Sequence, residues 1–185
     1  LTLAAHKAGG PVGAGALLIR SDLPIKPLIT GGAQELSRRA GTVNVPAIVG
    51  FAQMVRDVAA CPQAAQWLEW RGWLEQELQS AAANAFVFGA GVARLPNTLN
   101  ITMPGVKSET QIMNMDLAGF AVSSGSACSS GKVAASATLL AMGIAPDVAE
   151  AALRISWGWA TTRAEIEAFA AAWKQVYARL CKKAA

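Results

Sequence analysis

The chain is poor in charge. Sixteen Lys and Arg and twelve Asp and Glu make up 15% of its 185 residues, against about 25% in an average soluble domain. It has one histidine and three cysteines, Cys61, Cys128 and Cys181, far apart and with no CxxC pair. That usage does not suit a disulfide framework or a zinc site, and it fits a reducing, cytoplasmic setting. No run approaches the ~18 uninterrupted apolar residues of a membrane span, because Ser, Gly, Gln, Arg or Asp always intervenes. The opening Leu1-Thr2-Leu3-Ala4-Ala5 has neither a charged n-region nor a long apolar h-region, so these residues are expected to form not a signal peptide but the middle of a strand approaching a loop. The basic residues are scattered, with only Arg38-Arg39 and Lys182-Lys183 adjacent and no aromatic interleaving. The formal charge of +4 and pI near 9.2 therefore do not point to nucleic acid. No internal repeat is visible.

What is present is apolar. Hydrophobic residues reach 53% and the mean hydropathy is +0.33, which argues against intrinsic disorder and implies a buried core. The length suits one domain or a little more. Three glycine-rich marks punctuate the chain: Gly9 to Gly15, Gly31-Gly32, and Ser123 to Gly131. Strands are expected at Ala16–Ile19, Leu99–Met103, Phe120–Ser123 and Leu153–Trp157. Helices are expected from about Ala47 to Ala60, opened by Pro46, and then through Trp67, Trp70, Trp73, Leu74 and Leu78. Ser108 and Gln111 form a capping box for a helix closed by Gly119, and Thr162 and Glu165 form another for the helix of Ile166, Phe169, Trp173, Val176 and Leu180. The three-residue spacing of Trp67, Trp70 and Trp73 reads as a core stripe in preference to a partner-binding face. The mixture is an α/β or α+β chain.

Four features could carry chemistry. His6-Lys7 precedes the first glycine-rich turn. Lys7 is either an exposed loop residue or an amine held against a cofactor, where a desolvated lysine becomes a Schiff-base nucleophile and nearby glycines let amides approach a phosphate. The segment Gly31 to Asn44 holds Arg38, Arg39, Gly41 and Thr42, which suits an anion site or a solvated loop equally. The loop around Cys128 resembles a nucleotide-binding loop only superficially. Five residues, not four, separate Gly125 from Gly131-Lys132, and Val133 follows. Either it is a linker or its lone thiol is kept reachable for reaction. Arg154, inside Ala152-Leu153-Arg154-Ile155-Ser156, lies on a wet sheet face or grips a carboxylate.

In this order the four features resemble the group I cysteine desulfurases, pyridoxal-phosphate (PLP) enzymes of the fold-type-I, class V aminotransferase superfamily. The match runs from Ala5-His6-Lys7 through Gly41-Thr42-Val43-Asn44 to Thr161-Thr162-Arg163-Ala164-Glu165-Ile166, and Ala121 to Gly131 is its most specific part. The resemblance implies that Lys7 is the lysine to which PLP is bound and that it moves protons at the substrate carbon. His6 would help hold the cofactor phosphate, and Thr42 would reach the phosphate of a neighbouring subunit, which implies a homodimer. Arg154 would grip the carboxylate of L-cysteine. Cys128 would take the sulfur as a persulfide and leave alanine. The sulfur would then pass to an acceptor, such as an iron–sulfur scaffold protein. No nucleic acid or membrane is implied as a partner.

Three departures stand out: Ala4 where the family usually has Ser, Ala33 for Gly, and Val12 for Lys. The larger one is length, since family chains are about twice as long. The resemblance implies a missing part before Leu1 carrying the ring-stacking residue, the partner of the ring nitrogen and most of the phosphate cradle. The expected fold is thus the C-terminal part of a fold-type-I PLP enzyme. Residues 1–50 would end the large PLP-binding domain, and residues 51–185 would form a small α+β domain bearing the cysteine loop. The chain alone is expected to be inactive. The alternatives are a non-catalytic relative used for dimerisation or acceptor binding, and a related PLP lyase or aminotransferase.

Overall fold

The computed structural model describes residues 1–124 and 135–181. The chain divides into two compact units, Leu1–Pro62 and Gln63–Ala185.

In the first unit, β1 (Thr2–Ala4) pairs antiparallel with β2 (Gly15–Leu17), Leu3 standing opposite Ala16. The expected strand at Ala16–Ile19 is thus shorter and starts one residue earlier. A 3-10 turn, Ala5–Ala8, leaves β1 and is closed by Gly9 at φ +86°, a left-handed conformation that a side chain resists. The β1–β2 pairing itself needs Gly15, where a Cβ would lie 2.8 Å from the Leu3 carbonyl oxygen. After the proline-spaced connector comes a single turn, α1 (Gln34–Ser37), with Glu35, Leu36 and Ser37 all at positive φ, from 52° to 63°. Helix α2 (Val45–Ala59) is capped by the Asn44 side chain, which accepts from the Ala47 N–H at 3.2 Å, with Pro46 in the first turn. Proline is tolerated there because its missing N–H would have had no partner. Ala5, Ala40, Ala47 and Phe51 form the buried centre of this unit, while Leu1, Val12, Leu28 and Leu36 stay largely exposed.

In the second unit, helix α3 (Ala64–Ala81) leads to β3 (Thr98–Thr102) and α4 (Ser108–Leu117). The short α5 (Ala137–Ala141) and α6 (Pro146–Glu150) precede β4 (Ala152–Ser156) and the long α7 (Arg163–Cys181). β3 and β4 run antiparallel, with Leu99 opposite Ile155 and Asn100 opposite Arg154. Alternation splits the strands into two faces. Leu99, Ile101, Leu153 and Ile155 are buried with Leu74 and Leu78 of α3 and with Phe169 and Trp173 of α7. On the other face, Ala152 joins Phe88, Leu139 and Ala149 in a smaller cluster. Trp70 belongs to the main core, and Trp67 and Trp73 pack at its edge, as a core stripe requires. The Trp73 ring also carries the Arg163 guanidinium, 4.0 Å from its centre.

The two expected capping boxes fare differently. Thr162 and Glu165 form one: the Thr162 N–H donates to Glu165 Oε2 at 2.7 Å, and the Glu165 N–H donates to Thr162 Oγ1 at 3.3 Å. The Thr162 N–H first, and second the Thr162 hydroxyl, which donates to the same Oε2 at 2.9 Å, hold the Glu165 carboxyl below the usual carboxylate range. Ser108 and Gln111 do not form a box. Ser108 is already inside the helix, and Gln111 is fully buried, its Nε2 donating to the carbonyls of Val106 and Ala151 at 2.8 Å each. A buried amide facing two carbonyls gains more from satisfying them than from reaching back to a helix end. The expected Phe120–Ser123 strand shrinks to a single antiparallel bridge between Ser123 and Arg154. Among the described residues, no helix is long and apolar enough to cross a membrane.

Candidate active site

Of the predicted residues, His6, Lys7 and Thr42 lie in the first unit, Arg154 lies in the second, and Cys128 falls outside the described residues. His6 and Lys7 are neighbours on the 3-10 turn, both exposed. Neither side chain makes an ion pair or hydrogen bond among the described residues. The glycine-rich turn that follows runs against the start of α2: a Cβ on Gly50 would lie 2.9 Å from Pro11, and one on Gly13 3.9 Å from Asn44 Nδ2. Thr42, exposed, stands two residues ahead of that cap. The chain therefore presents a free amine and an imidazole on a turn with little side-chain cover. That donor set fits an aldehyde cofactor bearing a phosphate, because the amine can condense with the aldehyde and the adjacent imidazole can donate a hydrogen bond to the anion.

Arg154 is held tightly by its backbone. Its N–H donates to the Ser123 carbonyl at 2.7 Å, and its carbonyl accepts from the Ser123 N–H at 3.1 Å. The side chain is half-buried, and its one hydrogen bond among the described residues is a long 3.3 Å contact from Nη2 to Ser123 Oγ. No carboxylate of the described residues pairs with it. A half-buried guanidinium without a counter-charge is costly unless an anion completes it. The polar row across the sheet runs Asn100, Arg154, Ser123. Asn100, in Leu99-Asn100-Ile101, carries the same signature as Arg154, a polar residue inside an apolar strand.

Known proteins resemble this chain over most of its length. The model of the family "Aminotransferase class-V" matches residues 1–169. The chain belongs to this family. A cysteine desulfurase of Cereibacter sphaeroides is 40% identical over 167 residues, covering 90% of this chain and 43% of that protein. A second, from Rhodobacter capsulatus, is 37% identical over 182 residues, covering 97% of this chain and 47% of the other. A solved NifS-like protein from Rickettsia africae superposes with a TM-score of 0.80 at 35% identity, covering 96% of this chain and 47% of that one. The chain spans less than half the length of the relatives it matches. The fold is that of half a fold-type-I, class V aminotransferase-like enzyme, and the family is PLP-dependent.

Proposed function

We propose that this chain serves a cysteine desulfurase, which removes sulfur from L-cysteine, releases L-alanine and leaves the sulfur as a persulfide on Cys128. The observation that supports it most directly is Arg154, a half-buried cation in register between Asn100 and Ser123 with no carboxylate partner among the described residues. An amino-acid carboxylate is the planar, bidentate anion a guanidinium suits best. When bound, PLP supplies the electron sink that labilises bonds at the substrate's α-carbon. The Lys7 amine would hold that cofactor and then accept and return a proton at the substrate carbon. His6 would donate to the cofactor, and Thr42 would offer its hydroxyl to the phosphate in a second subunit. Atoms balance without an oxidant: the Cys128 thiol and L-cysteine become a Cys128 persulfide and L-alanine, one sulfur atom passing between them.

In this reading residues 1–50 close the PLP-binding domain and residues 51–185 form the smaller domain. The helix α2 connects them, although it packs with the first unit. Thr42 would act on the cofactor of a second copy of the protein, which makes a homodimer part of this reading. The sulfur acceptor is a protein whose own thiol or iron–sulfur scaffold takes the persulfide, and the setting is cytoplasmic. The test is sulfide release from L-cysteine under reductant by the native protein. Loss of release in both Lys7→Ala and Cys128→Ala is the expected result, while unaltered release in Cys128→Ala overturns the persulfide mechanism.

A further inference from the structure

We propose that Asn100 is a positioning residue for Arg154, its side-chain carbonyl fixing the guanidinium plane when a substrate carboxylate binds. This rests on the desulfurase reading and deepens it. Three observations carry it.

The first is register. Asn100 stands directly opposite Arg154 in the β3–β4 pair. The bonds from Trp157 N–H to the Asn97 carbonyl and from Met103 N–H to the Ala151 carbonyl set the alternation of the ladder. Positions 100 and 154 consequently form a non-hydrogen-bonded pair. In such pairs the side chains stand closest, on the same face. The second is an orphan. Asn100 Oδ1 is buried and accepts no hydrogen bond, one of only a few such side-chain atoms among the described residues. A buried amide oxygen left unpaired is costly, and native structures rarely keep one without a use. The third is asymmetry. Arg154 is engaged on its other side by Ser123, through both backbone bonds and a side-chain contact of only 3.3 Å. A guanidinium carries five N–H donors in a plane. With one donor on Ser123 Oγ and another on Asn100 Oδ1, the plane is fixed from both flanks and a parallel pair remains for a carboxylate. Bidentate recognition depends on that fixed plane.

The test is Asn100→Ala in the native protein loaded with PLP, comparing KM and kcat for L-cysteine. Loss of one charge-assisted bond at the clamp is expected to raise KM about tenfold and to leave kcat within about twofold. The inhibition constant of L-alanine, which has a carboxylate, should rise in parallel. That of cysteamine, which has none, should not move. A merely structural role would shift both inhibitors together, and that result overturns the proposal. So does an unchanged KM in a parent that turns cysteine over. A parent that does not turn cysteine over overturns the desulfurase reading, and this inference with it. Asn100→Ser, which keeps a short acceptor, should recover part of the KM; failure to do so while the variant remains folded counts against the acceptor role.

Discussion

Replacing Gln111 with leucine tests how β4, the strand that carries Arg154, is held at its start. Gln111 is fully buried, and its amide nitrogen bridges the Val106 and Ala151 carbonyls at 2.8 Å each, Ala151 lying immediately before β4. The side chain is not ideal as it stands, since Oε1 is buried with no partner. Leucine keeps most of the volume, removes two neutral hydrogen bonds worth about 1 kcal/mol each, and relieves an orphan acceptor worth about 1 kcal/mol in the other direction. The Ala151 carbonyl is not left bare, because the Met103 N–H also reaches it at 3.3 Å. Gln111→Leu should therefore destabilise by about 1–2 kcal/mol. Gln111→Ala adds a cavity and should cost about 2 kcal/mol more. Urea unfolding followed by tryptophan fluorescence reads both, because the fully buried Trp173 sits in the adjoining core. A leucine variant as stable as the parent would refute the bridge. An alanine variant no worse than leucine would refute the tight packing.

Two further perturbations follow from other parts of the fold. Glu75 accepts from Arg94 at 2.8 and 3.3 Å and pairs with Arg71 at 3.5 Å, all three side chains being mostly buried. Glu75→Ala should cost about 3 kcal/mol, because it leaves two arginines without their counter-charge. A double-mutant cycle with Arg94→Ala should show coupling above about 1 kcal/mol, and additivity would count against it. The Glu165 carboxyl is held below its ordinary range, so its contribution to the α7 cap is complete above the unfolded pKa and is lost as pH falls through the lower, folded one. The melting temperature of the native protein should fall more steeply between about pH 5 and pH 3 than that of Glu165→Gln. Parallel curves would show that the cap does not titrate.

The legible parts of the sequence were those with local causes. The stripe Ile166, Phe169, Trp173 and Val176 named the buried face of α7, and Thr162 with Glu165 named its start, because both signals act within one or two turns. Pro46 placed the opening of α2 within two residues. Gln111 was misread because a capping box and a buried bridge share one local pattern, and only Ala151, 40 residues away, distinguishes them. Phe120–Ser123 reads as a strand by composition, yet only Ser123 finds a partner on β4. Arg154 was visible as a charge among apolar residues. Asn100 and Ser123 became meaningful only when pairing aligned them with it, which is long-range information that no window on the chain contains.

The alternation of β3 and β4 has a consequence for how this protein could change over generations. Leu99, Ile101, Leu153 and Ile155 answer to folding, while Asn100 and Arg154, between them in the same five-residue strands, stand on the other face, where the proposed carboxylate clamp would lie. A library confined to positions 98, 100, 123, 154 and 156 would explore recognition while leaving the hydrophobic contacts intact. A one-residue slip in pairing would do the reverse, turning aliphatic side chains outward and driving a guanidinium into the core. On that proposal, substitution at these sites would alter recognition without disturbing the core, whereas an insertion or deletion within either strand would disrupt the core first.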